Sequence, residues 1–177
     1  GQKWYFFQKI DPSDKIIETS AAYTADKNFP VIVTDAAGND SYTFYNPTTG
    51  QLSNTIDGEL NRTSYKYEAN SNRVSTVSAG ESSVQYVYDW ANRLDTIKQN
   101  GVEKYKFTYD SLGRVSQISV SNGTGFTPLM TTTYDSYSRP TVKTYGNDDM
   151  FTTYYDALDN VTEIKYNNND QKRICYY

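Results

Sequence analysis

A short motif recurs along this chain at nearly constant intervals, and it constrains the fold more than any other feature. The motif is a Tyr-Asp pair, three turn-forming residues and then arginine or asparagine. Its clearest copies begin 21, 25 and 21 residues apart, at Tyr88, Tyr109, Tyr134 and Tyr155. Such a period is typical of proteins built from one repeated supersecondary unit, so each copy is expected to form the same local structure.

Two earlier copies carry one extra turn residue and begin at Tyr45 and Tyr67. Arginine recurs in register, since four of the six arginines occupy one motif position: Arg73, Arg93, Arg114 and Arg139. Towards the N-terminus, the segments Asp11–Lys15 and Asp35–Asn39 have the turn without the tyrosine, as expected of atypical terminal repeats. We predict a single repeat domain over residues 1–177, with degenerate units in 1–43, clear repeats in 44–166 and a terminal strand in 167–177.

The motif has the chemistry of a tight turn. An aspartate that begins a turn accepts hydrogen bonds from nearby backbone amides, and the residue three positions later often adopts a left-handed conformation. Gly113, Asn92 and Asp159 suit that conformation, whereas Ser138 suits it poorly. Because a catalytic pair needs only one copy, we interpret the recurring aspartates as structural turn residues: Asp89, Asp110, Asp135 and Asp156.

The segments on either side of the turns have strand patterns. Aromatic residues alternate before the turns, as in Tyr105, Phe107 and Tyr109, which is the period of a strand with one aromatic face. After the turns, apolar residues are three apart, as in Val115 and Ile118, which indicates either a bulge or a strand covered on both faces. We predict an all-β fold of tandem antiparallel hairpins, forming one curved or twisted open sheet or a partial barrel-like shell.

The segment Tyr109–Val115 and its in-register copies resemble the YD repeat of the Rhs family. That family includes bacterial polymorphic toxins, shell subunits of insecticidal toxin complexes, wall-associated proteins and the teneurins. The resemblance is clearest from Phe44 to Tyr166, and it implies hairpins that pair sideways into a long curved sheet, which spirals into a hollow shell in large members. The repeats here are too few to enclose such a cavity, and the self-cleaving region of many bacterial members has no counterpart. The resemblance therefore implies the fold and a scaffold role, without encapsulation or autoproteolysis.

Several function classes are disfavoured by composition. The chain has no histidine and only one cysteine, Cys175, which excludes the usual Ser-His-Asp and Cys-His nucleophiles and His/Cys zinc sites. A net charge of −4 without a basic cluster argues against nucleic acid, and no apolar run is long enough for a membrane helix. We expect no catalysis, no metal and no cofactor. A carboxylate-dependent hydrolase is the least favoured reading, because no pair of carboxylates stands apart from the repeats.

The repeated tyrosines suggest the only ligand-binding hypothesis that we draw from the sequence, which is carbohydrate binding. Sideways pairing of hairpins is expected to stack them into a core ladder with arginines over the rings, and any rings left exposed would be platforms for sugars. Our candidate ligand residues are Trp90, which lies at a turn position, and Tyr88, Tyr109 and Tyr134. Arg93, Arg114, Arg139 and Gly113 are assigned to the structural turns.

Two hypotheses follow. The first is an extracellular or cell-surface scaffold, its signal peptide removed, that binds carbohydrate or a protein. The second is a piece of a larger Rhs-type shell that encapsulates or presents a toxin, whose exposed sheet edge pairs with further repeats or with itself. The period supports the second hypothesis, since adding 21 to Tyr155 predicts the next repeat turn at Tyr176.

Overall fold

The computed structural model describes residues 3–10, 16–26, 28–167 and 172–176. Within these ranges the chain forms strands and turns without a helix, which confirms the predicted all-β class. Each strand is hydrogen-bonded to the next along the chain, so the strand order of the sheet is the sequence order. The strands are β1 (Lys3–Ile10), β2 (Ile16–Tyr23), β3 (Pro30–Thr34), β4 (Asp40–Tyr45), β5 (Leu52–Ile56), β6 (Arg62–Tyr67), β7 (Val74–Ala79), β8 (Ser82–Tyr88), β9 (Leu94–Gln99), β10 (Val102–Tyr109), β11 (Val115–Ser121), β12 (Phe126–Tyr134), β13 (Pro140–Tyr145), β14 (Met150–Tyr155), β15 (Val161–Asn167) and β16 (Lys172–Tyr176).

The strands are distributed over two compact units, Gly1–Gln85 and Tyr86–Tyr177, and the boundary lies within β8. In both units consecutive strands pair antiparallel, as predicted for tandem hairpins. The assignment of residues 1–177 to one repeat domain stays a prediction. The predicted turn at Asp11–Lys15 and most of the Asn-rich loop after β15 lie outside the described residues.

A β-bulge follows the repeat tyrosine, and it explains the three-residue spacing of apolar side chains. Tyr109 pairs with Val115 whereas Thr108 pairs with Gln117, which leaves Ser116 as an extra residue in β11. The same shift occurs beside Tyr45, Tyr67, Tyr134 and Tyr155. Of the two alternatives that the sequence left open, the bulge is therefore the one the structure contains.

Hydroxyl groups stabilise several of these bulges. The bulge hydroxyl donates a hydrogen bond to the carbonyl oxygen of the residue that precedes the tyrosine on the paired strand. The donor–acceptor distances are 3.0 Å from Ser53 to Phe44, 3.1 Å from Ser116 to Thr108 and 3.3 Å from Thr141 to Thr133. The extra residue therefore satisfies a carbonyl next to the point where the regular pairing is interrupted.

The turn at Asp35–Asn39 was predicted to be a degenerate repeat turn, and the structure shows that it is not one. The Asp35–Asn39 turn joins β3 to β4, at the strand ends opposite those joined by the turn after Tyr45. The counterpart of the repeat tyrosine is Tyr23, which pairs with Pro30 while Ala22 pairs with Ile32, the same bulged register as later repeats. Tyr23 lies 22 residues before Tyr45, so the period alone contained the signal.

The register of β16 also corrects the position expected for the next repeat. The preceding repeats follow one register. Pro140 pairs with the repeat tyrosine Tyr134, and Val142, two residues after Pro140, pairs with Thr152, which lies three residues before the next repeat tyrosine, Tyr155. Glu163 occupies that position in β15 and faces Tyr176. Tyr176 therefore lies three residues before a repeat-tyrosine position, and the expected turn at this residue was wrong.

Side-chain burial is shallow in the described residues. Among residues 19–26, 28–167 and 173–175, Ala21 is the only hydrophobic residue less than 9% exposed, and the other side chains buried to that extent are polar: Thr96, Ser119 and Thr132. Most strand side chains are half-buried against their neighbours on the same sheet face. Packing along the sheet, rather than a deep interior, therefore places the residues of the candidate site.

Candidate functional site

The repeat turns of the second unit share one hydrogen-bond arrangement, which Asp110 illustrates. One carboxylate oxygen, Oδ1, accepts hydrogen bonds from the backbone amides of Leu112 and Arg114 at 2.9 and 3.0 Å. The other oxygen, Oδ2, lies 2.7 Å from Arg114 Nε. Asp135 with Arg139 has the same geometry, and Asp89 pairs with Arg93 in the same way. These contacts are those expected of turn-forming aspartates.

The guanidinium group also reaches the following repeat. Arg114 Nη1 donates to the carbonyl oxygen of Asp135 at 3.3 Å and to Ser138 Oγ at 3.1 Å. Arg139 Nη1 donates to the carbonyl oxygen of Asp156 at 3.1 Å and forms a 2.7 Å ion pair with Asp159. Each arginine therefore fixes its own turn and contacts the next one.

The same guanidinium groups lie over the tyrosine rings of the following repeat. The distance from Cζ to the ring centroid is 4.3 Å for Arg93 over Tyr109, 4.4 Å for Arg114 over Tyr134 and 4.6 Å for Arg139 over Tyr155. This confirms the predicted cation–π contacts and shows that they join different repeats.

The tyrosine hydroxyls complete the connection between repeats. Each donates to the carbonyl oxygen of the residue after the preceding arginine, at 2.7 Å for Tyr109 to Leu94, 2.8 Å for Tyr134 to Val115 and 2.9 Å for Tyr155 to Pro140. The expected ladder of directly stacked tyrosines is therefore wrong for these three, because each presents its ring to an arginine of the preceding repeat.

A left-handed residue follows three positions after the turn aspartate in each of these turns. Gly113, Asn92 and Asp159 have φ angles of 80°, 64° and 66°, as predicted from their types. Ser138 adopts 67° although serine is poorly suited to this region, and its hydroxyl accepts the hydrogen bond from Arg114. In the first unit Leu60 stands at the same place in the Asp57 turn, with φ 66°.

Hydrogen bonding lowers the pKa of the turn carboxyls below their usual range. For Asp156 the main cause is the Asn160 side chain, followed by the Asn160 backbone amide. For Asp89 it is the backbone amide of Arg93. At Asp110, burial would raise the pKa, but the hydrogen bonds from Arg114 and Leu112 together outweigh it. The turns are therefore built around ionised carboxylates at neutral pH.

The predicted ligand residues differ in exposure. Trp90 is 93% exposed, whereas Tyr88, Tyr109 and Tyr134 are half-buried. Since Tyr109 and Tyr134 each have an arginine over the ring, they are structural contacts first. Sequence reasoning missed three further exposed apolar side chains, each two positions after a turn aspartate: Leu112, Tyr137 and Leu158. Their shared motif position was the available signal.

The first unit has an open apolar cavity of about 680 Å³ beside its N-terminal repeat. Phe29 lines it and stacks on Tyr45 with 4.6 Å between ring centroids, and Tyr42 and Phe44 contribute further aromatic surface. Asp26 also lines it, and its carboxylate accepts hydrogen bonds from Thr24 and Asn28.

Other candidate chemistry is sparse in the part of the chain that the structure describes. It contains no cluster of three or more His, Cys, Asp or Glu side chains placed to hold a metal ion. Cys175 is exposed on β16. The same residues form no helix that is long and apolar enough to span a membrane.

No family model matches the sequence, and no curated protein matches it either. Solved structures do match: TcdB2-TccC3 with Cdc42, TcdB2-TccC3 without its hypervariable C-terminal region, and TcdB2-TccC3 itself, with TM-scores of 0.74, 0.75 and 0.74. Each match has 20% sequence identity and covers 92% of this chain but 10% of the other. The chain therefore shares the fold of one stretch, about a tenth of the length, of the TcdB2-TccC3 crystal-structure chains.

Proposed function

We propose that this chain is a non-catalytic scaffold segment of a longer, extracellular β-repeat protein of the Rhs type, whose wall encloses or presents a toxic polypeptide. One observation carries the proposal. Arg93, Arg114 and Arg139, in three successive repeats of the second unit, each form a second set of contacts on the following repeat. A residue used in this way serves the extension of a sheet, because its contacts exist only when another repeat follows.

Shallow burial supports the same function. Few described side chains are fully buried, so the second unit relies on contacts between adjacent hairpins. The fold match to about a tenth of the TcdB2-TccC3 chains is consistent with a part that is extended in a larger assembly. In this proposal the turn aspartates and arginines are structural, and catalysis is assigned to none of them.

The test is the size of the native gene product. An antibody raised against this chain is used to blot cells and culture medium of the source organism, with signal blocked by the purified chain as control. We expect a polypeptide about ten times as long as this chain, the ratio seen for the structural matches. A native product close to 20.2 kDa would contradict the shell segment and leave a small independent module.

A second candidate is carbohydrate binding at Trp90, favoured by the near-complete exposure of its ring. Planar aromatic side chains stack on sugar rings, and the ring is free of the guanidinium contact that covers Tyr109 and Tyr134. A glycan array with wild-type protein and the Trp90→Ala and Tyr88→Ala variants tests this candidate. We expect loss with Trp90→Ala and a smaller effect of Tyr88→Ala. Retention of no glycan by the wild type would remove it.

A further inference from the structure

Four large apolar side chains project from the repeat turns of the second unit. Trp90 is 93% exposed, Leu158 81%, Tyr137 76% and Leu112 69%. A single exposed leucine is ordinary in a soluble protein, but each of these four belongs to a successive repeat turn and follows its aspartate by one or two residues. We call these four side chains the tip row.

The tip row is continuous along one end of the strands. The turns at Asp110, Asp135 and Asp156 contact each other through Arg114 and Arg139, which reach forward by hydrogen bonds of 2.7 to 3.3 Å. Two strands separate successive turns, so neighbouring tips are about 10 Å apart at the usual strand spacing. The four side chains therefore form a strip rather than isolated points.

The strip carries little net charge. The residues that flank the tips are Ala91, Ser111, Ser136 and Ala157, and the turn carboxylates behind them are ion-paired or hydrogen-bonded within the turns. Two charged groups lie beside the tips: Arg139, whose Cζ is 5.0 Å from the centroid of the Tyr137 ring, and Asp159, which pairs with Arg139 at 2.7 Å. An apolar strip whose neighbouring charges are paired with each other is suited to a partner surface that is itself apolar and without net charge.

The area of the strip fits a second copy of the same strip. An aromatic side chain buries roughly 150–250 Å², so two aromatic rings and two leucines offer on the order of 600 Å². A standard interface buries about 800 Å² on each partner, which places a pair of tip rows at the lower end of specific association. The order of the residues also suits a two-fold axis, because aromatic and leucine tips alternate along the row.

From this we infer that the tip row is a dimer interface between two copies of this chain, with the rows antiparallel. A two-fold axis that aligns them end to end places Trp90 against Leu158 of the other copy and Leu112 against Tyr137. Every contact then joins an aromatic ring to a leucine. Parallel rows would instead put ring on ring and leucine on leucine.

Sedimentation equilibrium and light scattering of the purified chain from micromolar to several hundred micromolar test the interface. The wild type is expected to dimerise with a micromolar dissociation constant, and Trp90→Ser or Leu158→Ser to weaken dimerisation at least tenfold. The matched control is Leu60→Ser, which removes an equally exposed leucine (77%) from a turn of the first unit and leaves dimerisation unchanged. Circular dichroism of each variant verifies that it is folded.

Pairing through the exposed edge strand is distinguished by Ile174→Lys, a half-exposed position on β16. A wild type that stays monomeric over the whole concentration range overturns the inference. So does a dimer that is lost with Ile174→Lys and kept with both tip-row variants, because that dimer forms edge to edge.

The antiparallel register is tested by charge complementation. Leu112→Lys and Tyr137→Asp are prepared separately, and each is expected to be monomeric alone. Mixing the two restores a heterodimer in native mass spectrometry, since lysine then faces aspartate across the two-fold axis and the second Leu112–Tyr137 pair is intact. Failure of the mixture to associate, with both variants folded, overturns the antiparallel pairing.

Discussion

The left-handed position of the repeat turn is where residue type and backbone geometry conflict most. Glycine occupies this conformation freely, whereas a side chain there costs about 1–2 kcal/mol. Gly113 meets the requirement, but Leu60 and Ser138 do not, with φ of 66° and 67°. Ser138 gains a hydrogen bond from Arg114 in return, and Leu60 is exposed at 77%.

Replacing the glycine by alanine at Gly113 and the leucine by glycine at Leu60 should change the free energy of unfolding in opposite directions. Gly113→Ala is expected to lower the free energy of unfolding by about 1 kcal/mol, through its backbone, because a Cβ there meets Arg93 Nη1 at an ordinary 3.6 Å. Leu60→Gly is expected to raise it by roughly 0.5 kcal/mol. Equilibrium urea unfolding measures both, and a loss of stability from Leu60→Gly would show that the leucine makes a compensating contact.

Acid should destabilise the fold through the turn aspartates. Their folded pKa values lie below the unfolded value of 3.8, so their contribution is complete above that value and is lost as the pH falls through the folded pKa. Since the chain has no histidine, we expect a level free energy of unfolding from about pH 6 to 8 and a steep decline below about pH 4. Asp156→Asn should make the acid decline shallower, and an equally steep decline in that variant would exclude Asp156 as a contributor.

The connection between neighbouring hairpins can be measured at one arginine–tyrosine pair. In a double-mutant cycle, Arg114→Gln and Tyr134→Leu are expected to show a coupling of about 0.5–1 kcal/mol from the ring–guanidinium contact. Tyr134→Phe keeps the ring but loses the hydrogen bond to Val115, so it should cost about 1 kcal/mol equally with and without Arg114→Gln. If the coupling energy between Arg114→Gln and Tyr134→Phe were as large as that between Arg114→Gln and Tyr134→Leu, the interaction with the arginine would depend on the tyrosine hydroxyl rather than on its ring.

Hairpin boundaries were readable from the sequence because turn chemistry is local. Asp110, Gly113 and the paired aromatic pattern of β10 specify a turn and a strand without help from distant residues. The partner of each arginine was not readable. Arg93 is nearer in sequence to Tyr88 of its own repeat than to Tyr109 of the next repeat, and only strand register places it over Tyr109. Leu112 and Leu158 were placed in the repeat turns, but only Trp90 among the apolar turn residues was predicted to be exposed.

Over the whole molecule, shallow burial should appear as a small heat-capacity change on unfolding. Exposure of apolar surface dominates this quantity, which averages about 12–15 cal/mol/K per residue in globular proteins. Because Ala21 is the only hydrophobic residue below 9% exposure among residues 19–26, 28–167 and 173–175, we expect a value well below that range. Differential scanning calorimetry of a monomeric tip-row variant such as Trp90→Ser provides the measurement. A value within the globular range would reveal a conventional apolar core.

The forward reach of each arginine gives the second unit a head and a tail. Consider a block that starts at one repeat tyrosine and ends before the next. Its tyrosine ring and turn carbonyl receive the arginine of the preceding block, and its own arginine contacts the tyrosine of the following block. After such a block is duplicated or deleted, the remaining neighbours meet through the same arginine–tyrosine contact, so no new kind of interface is required. Genes for proteins of this architecture can therefore change length in whole blocks from one repeat tyrosine to the next. The block from Tyr109 to Tyr134 is 25 residues long and keeps the same junction, so extra residues are tolerated within a block but not at the arginine–tyrosine contact.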